Sequence, residues 1–362
     1  MNGPAPTFEL PSRYSVLDAN LASGGFGSVA KLQDRFLDRA VLFKTIIDAD
    51  HSDQLLREVR ALSRLRSRHV VDIYDVIQDR NGQIAGMVIE YLTGRDYSSF
   101  HSEAAKNAYA YMRTLYQLAA AISDLHAAGI VHRDIKLENL KDSAAGILKL
   151  FDFGLSSPTG GYQTVNNRGT YVYAAPELFV KGATITPEMD VYAFGVCAWA
   201  LAAPTWPTEL CERPPQSSSK VCSISKALPQ LPTEIANLID LSLSVDPRER
   251  PPASDLATLL AKVLVRNSHR GNFIESNRSI YELSQQKTGV KLTIGNLGEL
   301  RVAYDGLVFR VTAVSVGVYA NNVQLAAGMV LHDSCVLTFG QPALGAQRQF
   351  VSFFSSHPEV VL

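Results

Sequence analysis

Residues 132–139 read HRDIKLEN and residues 152–154 read DFG. In chain order they supply a carboxylate (Asp134), an ammonium (Lys136), an amide (Asn139) and a second carboxylate (Asp152). Phosphoryl transfer from a nucleoside triphosphate calls for this set. The migrating group carries spread negative charge, so the protein's task is positioning and cationic stabilisation. One carboxylate orients the attacking hydroxyl and accepts its proton. The other, with the amide, gives magnesium hard oxygen ligands. An HRD tripeptide alone occurs by chance. With Lys136, Asn139 and a DFG eighteen residues after Asp134, the combination is specific.

These groups need elements to hold them. In residues 55–65, Leu55, Val59, Leu62 and Leu65 recur at three- and four-residue steps, which predicts an amphipathic helix with its arginines largely off the apolar stripe. Leu115, Leu118, Ala119, Ile122 and Leu125 predict a buried helix over 108–126, delivering the HRD segment. Residues 84–92 (IAGMVIEYL) and 147–151 (ILKLF) read as strands, the second leading into DFG. The run ASGGFGSV at 22–29 predicts a tight turn whose N–H groups can approach triphosphate oxygens without an obstructing Cβ. By itself that run is equally an ordinary hairpin. Residues 190–202 are apolar but fall short of the ~20 residues a membrane-spanning helix needs. No charged-then-apolar leader pattern opens the chain. The sequence therefore predicts no membrane span and a cytoplasmic location.

The motif set resembles that of the eukaryotic-type Ser/Thr protein kinases. The resemblance implies an α+β fold of two lobes, a β-rich N-lobe and a helical C-lobe, with ATP and Mg2+ as cofactors and proteins as substrates. It makes Asp134 the catalytic base, puts Lys136 on the γ-phosphate, and gives Asn139 and Asp152 to the metal. Ala22, Gly24, Gly25, Gly27 and Val29 fall on the phosphate-covering loop, and Lys44 on the lysine that holds the α- and β-phosphates. Glu58 becomes the ion-pair partner of Lys44. Leu42 lies over the adenine ring, and Ile89 guards the back of its pocket. Backbone groups of Glu90 and Leu92 bind the adenine edge, and Asp96 reaches the ribose. For Asp96 the ordinary reading is a solvated turn residue. Thr170, in GTYVYAAPE (169–177), bonds the catalytic Asp and Lys, and Glu177 pairs with Arg250. The DxKxxN form of the catalytic loop implies Ser or Thr acceptors. His69 reads as structural.

Three positions depart from the pattern. Ala22 replaces a glycine, Leu42 replaces the usual alanine above the base, and Asn166 stands at the usual activation-loop phosphosite. Thr164 and Tyr162 are the neighbouring substitutes, and autophosphorylation at Thr164 is the expectation. A nucleotide-binding scaffold with poor turnover is the second reading, resting on Ala22 and Leu42.

The kinase-like region covers residues 10–265, and the polar stretch 266–288 reads as a connector with a short helix. From 289 to 362, charge becomes sparse and short β-rich runs follow one another between glycines, which predicts a small all-β sandwich. The run GVYANNVQLAAGMVL and the following VLTFG resemble the late strands of forkhead-associated domains. The phosphothreonine-reading positions of that family are altered: Asn296 follows Gly295 where an arginine is expected, and Val316 precedes Gly317 where an asparagine is expected. The module therefore reads as degenerate and suited to a protein partner or to control of the kinase, or as an accessory sandwich without a ligand. A formal net charge of −1 gives no basic field, so no nucleic acid partner is expected. Four scattered cysteines without CxxC spacing indicate reduced thiols.

Overall fold

The computed structural model describes residues 9–24, 27–45, 59–152, 170–275, 279–356, 358 and 360. The chain divides into two compact units, one ending at Leu260 and the other beginning at Ala261.

The first unit opens with a five-stranded sheet. Its strands are β1 (Tyr14–Gly24), β2 (Gly27–Asp34), β3 (Arg39–Thr45), β4 (Ile73–Gln78) and β5 (Ile84–Glu90), in the order β1-β2-β3-β5-β4. Side chains alternate between the two faces of a strand. Val41, Phe43, Ile77 and Val88 fall on one face and join Tyr14 and Leu32 in a buried cluster. Leu42 and Lys44 therefore fall on the other. On that second face the antiparallel register sets Leu42 opposite Lys31 and Ile89, and Lys44 opposite Val29 and Met87. Helix α1 (59–64) buries Val59 and Leu62, as the apolar stripe predicts.

The short α2 (His101–Ala104) and the long α3 (Ala108–Ala127) follow. The Asn107 side chain accepts from the Ala110 N–H at 3.0 Å and so caps α3. Tyr111, Leu115, Leu118, Ile122 and Leu125 form its buried face. The hairpin β6 (Leu140–Asp142) and β7 (Leu148–Leu150) carries the segment that continues into Asp152. Helix α4 (Pro187–Ala202) is buried on nearly every side, which explains its membrane-like composition. No helix among the described residues is long and apolar enough to cross a membrane. Helices α5 (Thr233–Ser242) and α6 (Ala253–Leu264) follow, and the division between the units falls within α6.

The second unit is a β module. Strands β8 (Gly271–Glu275) and β9 (Ile280–Leu283) pair with one another, and β8 also pairs with the distant β16 (Gln349–Ser355). The stretch 266–288, expected as a polar connector with a short helix, thus holds two strands of this module. Only Gly271, Phe273 and Leu283 in them are fully buried, so the apolar signal was too thin to read. The other strands are β10 (Gly289–Ile294), β11 (Gly298–Tyr304), β12 (Phe309–Val314), β13 (Val318–Ala320), β14 (Val323–Gln324) and β15 (Ser334–Phe339). They form a three-stranded sheet, β10-β11-β12, and a six-stranded sheet, β14-β13-β15-β16-β8-β9. Leu292, Leu300 and Val311 of the first sheet join Phe273, Leu337, Val351 and Phe353 of the second in one core. One of the β-rich runs, MVLH (329–332), forms no strand; Val330 makes a single bridge to Arg310. A Cβ on Gly271 would come within 2.9 Å of both Phe309 and Phe353, so the packing of these rings requires glycine there.

Candidate active site

The catalytic loop is anchored from below by Asp190 of α4. This carboxylate is almost fully buried. Its Oδ2 accepts the His132 N–H at 2.8 Å, and its Oδ1 accepts the Arg133 N–H at 2.9 Å. His126 Nε2 of α3 donates to the same Oδ2 at 2.9 Å. Two backbone donors on one buried carboxylate fix the turn, with Arg133 at φ 73. His132 lies deep beside them. Its Nε2 faces the Phe151 carbonyl at 3.2 Å and must donate, while Nδ1 accepts the Asp134 N–H at 3.3 Å. Both nitrogens are thus used by a neutral ring, and burial lowers its pKa in agreement. His132 ties the Asp134 backbone to the chain entering Asp152.

Two of the predicted polar groups converge on the Asp134 carboxylate. Lys136 Nζ lies 2.7 Å from Asp134 Oδ2. Asn139 Nδ2 donates to the same oxygen at 3.0 Å and to the Asp134 carbonyl at 2.7 Å. Among the described residues, these contacts use Asp134 Oδ2 and Asn139 Nδ2, which orients both side chains and leaves Asp134 Oδ1 and the Asn139 amide oxygen outside them. Asp152 follows at φ 62, outside the ordinary range for a residue with a side chain, and its Oδ1 is ion-paired with Lys44 Nζ. The Lys44 and Asp152 side chains are 16% and 35% exposed, so the pair sits at an accessible surface.

The donor set fits magnesium. A carboxylate and an amide oxygen are hard ligands, and this ion is commonly held by one or two protein groups plus substrate phosphates and water. No cluster of three or more His, Cys, Asp or Glu side chains suited to a metal occurs among the described residues. A two-ligand site completed by a triphosphate is the arrangement these residues can offer.

On the sheet, Ile89 is buried and stands opposite the half-buried Leu42. Leu92 is buried just beyond β5. Gly24 and Gly27 pair as the last residues on either side of the hairpin turn, and Ala22 pairs with Val29. Asp96 Oδ1 accepts from the Ser98 N–H at 3.1 Å and from Ser98 Oγ at 2.6 Å, which is the turn-residue arrangement. The backbone of Thr170 begins a short 3-10 turn, Thr170–Tyr173. Glu58, Gly25, Tyr162, Thr164 and Asn166 lie outside the described residues. Glu177 and Arg250 make a two-pronged pair at 2.6 and 2.8 Å. His69 donates through Nδ1 to the Leu148 carbonyl at 3.1 Å and is structural. Residues 212–223 between the short turns Thr208–Cys211 and Ile224–Lys226 are irregular.

The sequence singles out neither Asp190, at the head of the apolar run 190–202, nor Lys149, inside the strand at 147–151. The juxtaposition of HRD with a later Asp on a buried helix leaves no local pattern to detect.

Residues 16–259 match the family described as the protein kinase domain. The chain belongs to the protein kinase family. Similar proteins include a serine/threonine-protein kinase of Corynebacterium efficiens, 30% identical over 261 residues that cover 67% of this chain and 49% of that protein. Serine/threonine-protein kinase PknL of Mycobacterium bovis is 34% identical over 202 residues, covering 53% of this chain and 49% of its own length. NUAK family SNF1-like kinase 1 of Mus musculus is 29% identical over 258 residues, covering 68% of this chain and 38% of the relative. This kinase chain thus spans about half or less of the length of these relatives. The matched region lies within the first unit, and the β module falls outside it.

Proposed function

We propose that this kinase transfers the γ-phosphoryl group of ATP to Ser and Thr hydroxyls of proteins, itself included. The observation that carries the proposal is the convergence of Lys136 and Asn139 on Asp134 Oδ2. That arrangement holds the carboxylate in one orientation and leaves Oδ1 to align the acceptor hydroxyl and take its proton. Lys136 also supplies positive charge beside the transferring group. Lys44 exchanges Asp152 for the α- and β-phosphates when nucleotide enters, which frees Asp152 for the metal along with the Asn139 oxygen. Magnesium, when bound, neutralises charge on the triphosphate oxygens. Glu58 then orients Lys44, and Thr170 bonds Asp134 and Lys136. The turn through Ala22, Gly24, Gly25 and Gly27 covers the phosphates, with Val29 and Leu42 over the base. Ile89 closes the pocket, and Glu90 and Leu92 bind the adenine edge. Thr164 is the autophosphorylation site. Four unpaired cysteines support a cytoplasmic location.

The kinase domain is assigned to residues 10–265. The β module is assigned as a forkhead-associated-like sandwich that has lost its phosphate-reading groups and serves contact with a protein partner. The turn Asn321–Asn322, both at positive φ after β13, supports that likeness.

The test is transfer of labelled γ-phosphate to a generic basic protein by the intact chain and by Asp134→Asn. The account expects label only with the intact chain, and Mg-ATP binding by both. Binding without transfer by the intact chain would make it a nucleotide-dependent scaffold.

A further inference from the structure

We infer that Lys149 is a positioning residue that couples the adenine-binding end of β5 to the strand leading into Asp152. Lysine is seldom fully buried unless paired, yet Lys149 is 8% exposed in the middle of β7. Its ammonium has three N–H groups and meets three acceptors. Glu90 Oε2 lies at 3.0 Å, the Val70 carbonyl at 3.2 Å and Asp72 Oδ2 at 3.5 Å.

These acceptors stand on either side of a seam. Residues 69–72 run beside β7, with Leu150 N–H donating to the His69 carbonyl at 2.8 Å and Val71 N–H to the Leu150 carbonyl at 3.0 Å. The same segment meets the end of β5, where Glu90 N–H donates to the Asp72 carbonyl at 2.9 Å. Lys149 reaches across that segment and pins the Glu90 carboxylate. Downstream, Phe151 N–H bonds the Asn139 carbonyl at 3.0 Å, and Asp152 is the next residue. One ammonium therefore holds Glu90, whose backbone faces adenine in the proposed reading, and stands three residues before the metal carboxylate.

Removing the positive charge leaves Glu90 and Asp72 facing each other without their common cation. Like charges then repel, and Glu90 is the more buried of the two, at 18% against 53% side-chain exposure. The end of β5 shifts, and with it the base-binding backbone. The role rests on the nucleotide placement proposed above, so its test reads binding separately from turnover.

Mg-ATP binding is measured by calorimetry in an Asp134→Asn background, where no phosphate is transferred, for Lys149→Met, Glu90→Gln and the two combined. Lys149→Met is expected to weaken ATP binding about tenfold, equivalent to about 1.4 kcal/mol, and to raise the magnesium concentration needed for half-saturation. Adding Glu90→Gln removes the orphaned carboxylate and is expected to restore most of that loss, the non-additivity expected of contacting groups. Unchanged ATP and magnesium binding in a Lys149→Met protein that only unfolds more easily would overturn the inference, as would a double variant no better than the single. Should Lys149→Met fail to fold, Lys149→Gln, alone and with Glu90→Gln, decides by the same comparison: weaker ATP binding restored in the double variant supports the coupling, and unchanged binding refutes it. Failure of the intact chain to transfer phosphate would refute the proposed activity without touching these binding results.

Discussion

The pairing of Glu177 with Arg250 permits a quantitative prediction. The Arg250 side chain is fully buried and that of Glu177 is 20% exposed. Arg250 Nη1 and Nη2 hold both carboxylate oxygens, and the remaining donors reach the carbonyls of Ser244, Glu188 and Val245 at 2.8, 3.0 and 3.3 Å. Glu177→Gln keeps the shape but removes the charge and turns an amide NH2 towards a guanidinium that can only donate. Breaking a buried pair by removing one partner costs about 3–5 kcal/mol. The three carbonyls still solvate the cation, so the lower end, about 3 kcal/mol, is expected. For a unit of this size that loss corresponds to a fall of roughly 6–12 °C in melting temperature. Both tryptophans, Trp199 and Trp206, lie in the first unit, so their fluorescence during urea unfolding reports on it without interference from the β module. A loss below about 1 kcal/mol, the range of exposed pairs, would show that the carbonyls alone satisfy Arg250 and that the reasoning fails.

Two further outcomes are expected. Leu42→Ala, which removes bulk opposite Ile89 on the cleft face, should lower the KM for ATP several-fold in steady-state kinetics with little change in kcat; a raised KM would mean that Leu42 packs against the base productively. Burial holds the pKa values of His132 and His69 below their ordinary 6.5. Below pH 6.5 the unfolded chain therefore takes up protons that the folded chain refuses, and stability is lost as pH falls from 6.5 towards the folded-state values. The urea midpoint of the first unit should be lower at pH 5.5 than at pH 7.5, and an equal or higher midpoint would contradict the buried neutral rings.

Much of the site was legible because chemistry restricts residue type. Asp134, Lys136, Asn139 and Asp152 each carry a group with few substitutes, and their spacing is short enough to see in one line of sequence. The helix at 108–126 and the strand at 84–92 were legible for a different reason, since one buried face imposes its period. Contacts that join distant segments left no such trace. Lys149 meets Val70, Asp72 and Glu90, and no local pattern distinguishes it from the exposed lysine of a common strand. Asp190 serves the catalytic loop from 57 and 58 residues away. Strand β8 gains its place from pairing with β16 and β9 from pairing with β8, while Asn272, Ile274, Ile280 and Glu282 stay exposed or half-exposed and resemble a loop.

The central claim is that the convergence on Asp134 serves transfer to an aliphatic hydroxyl. Phosphoamino acid analysis of protein labelled by the intact chain with γ-labelled Mg-ATP tests it most directly. The account predicts label on serine or threonine, absent when Asp134→Asn replaces the intact chain. Label on tyrosine, or undiminished label with Asp134→Asn, would contradict it.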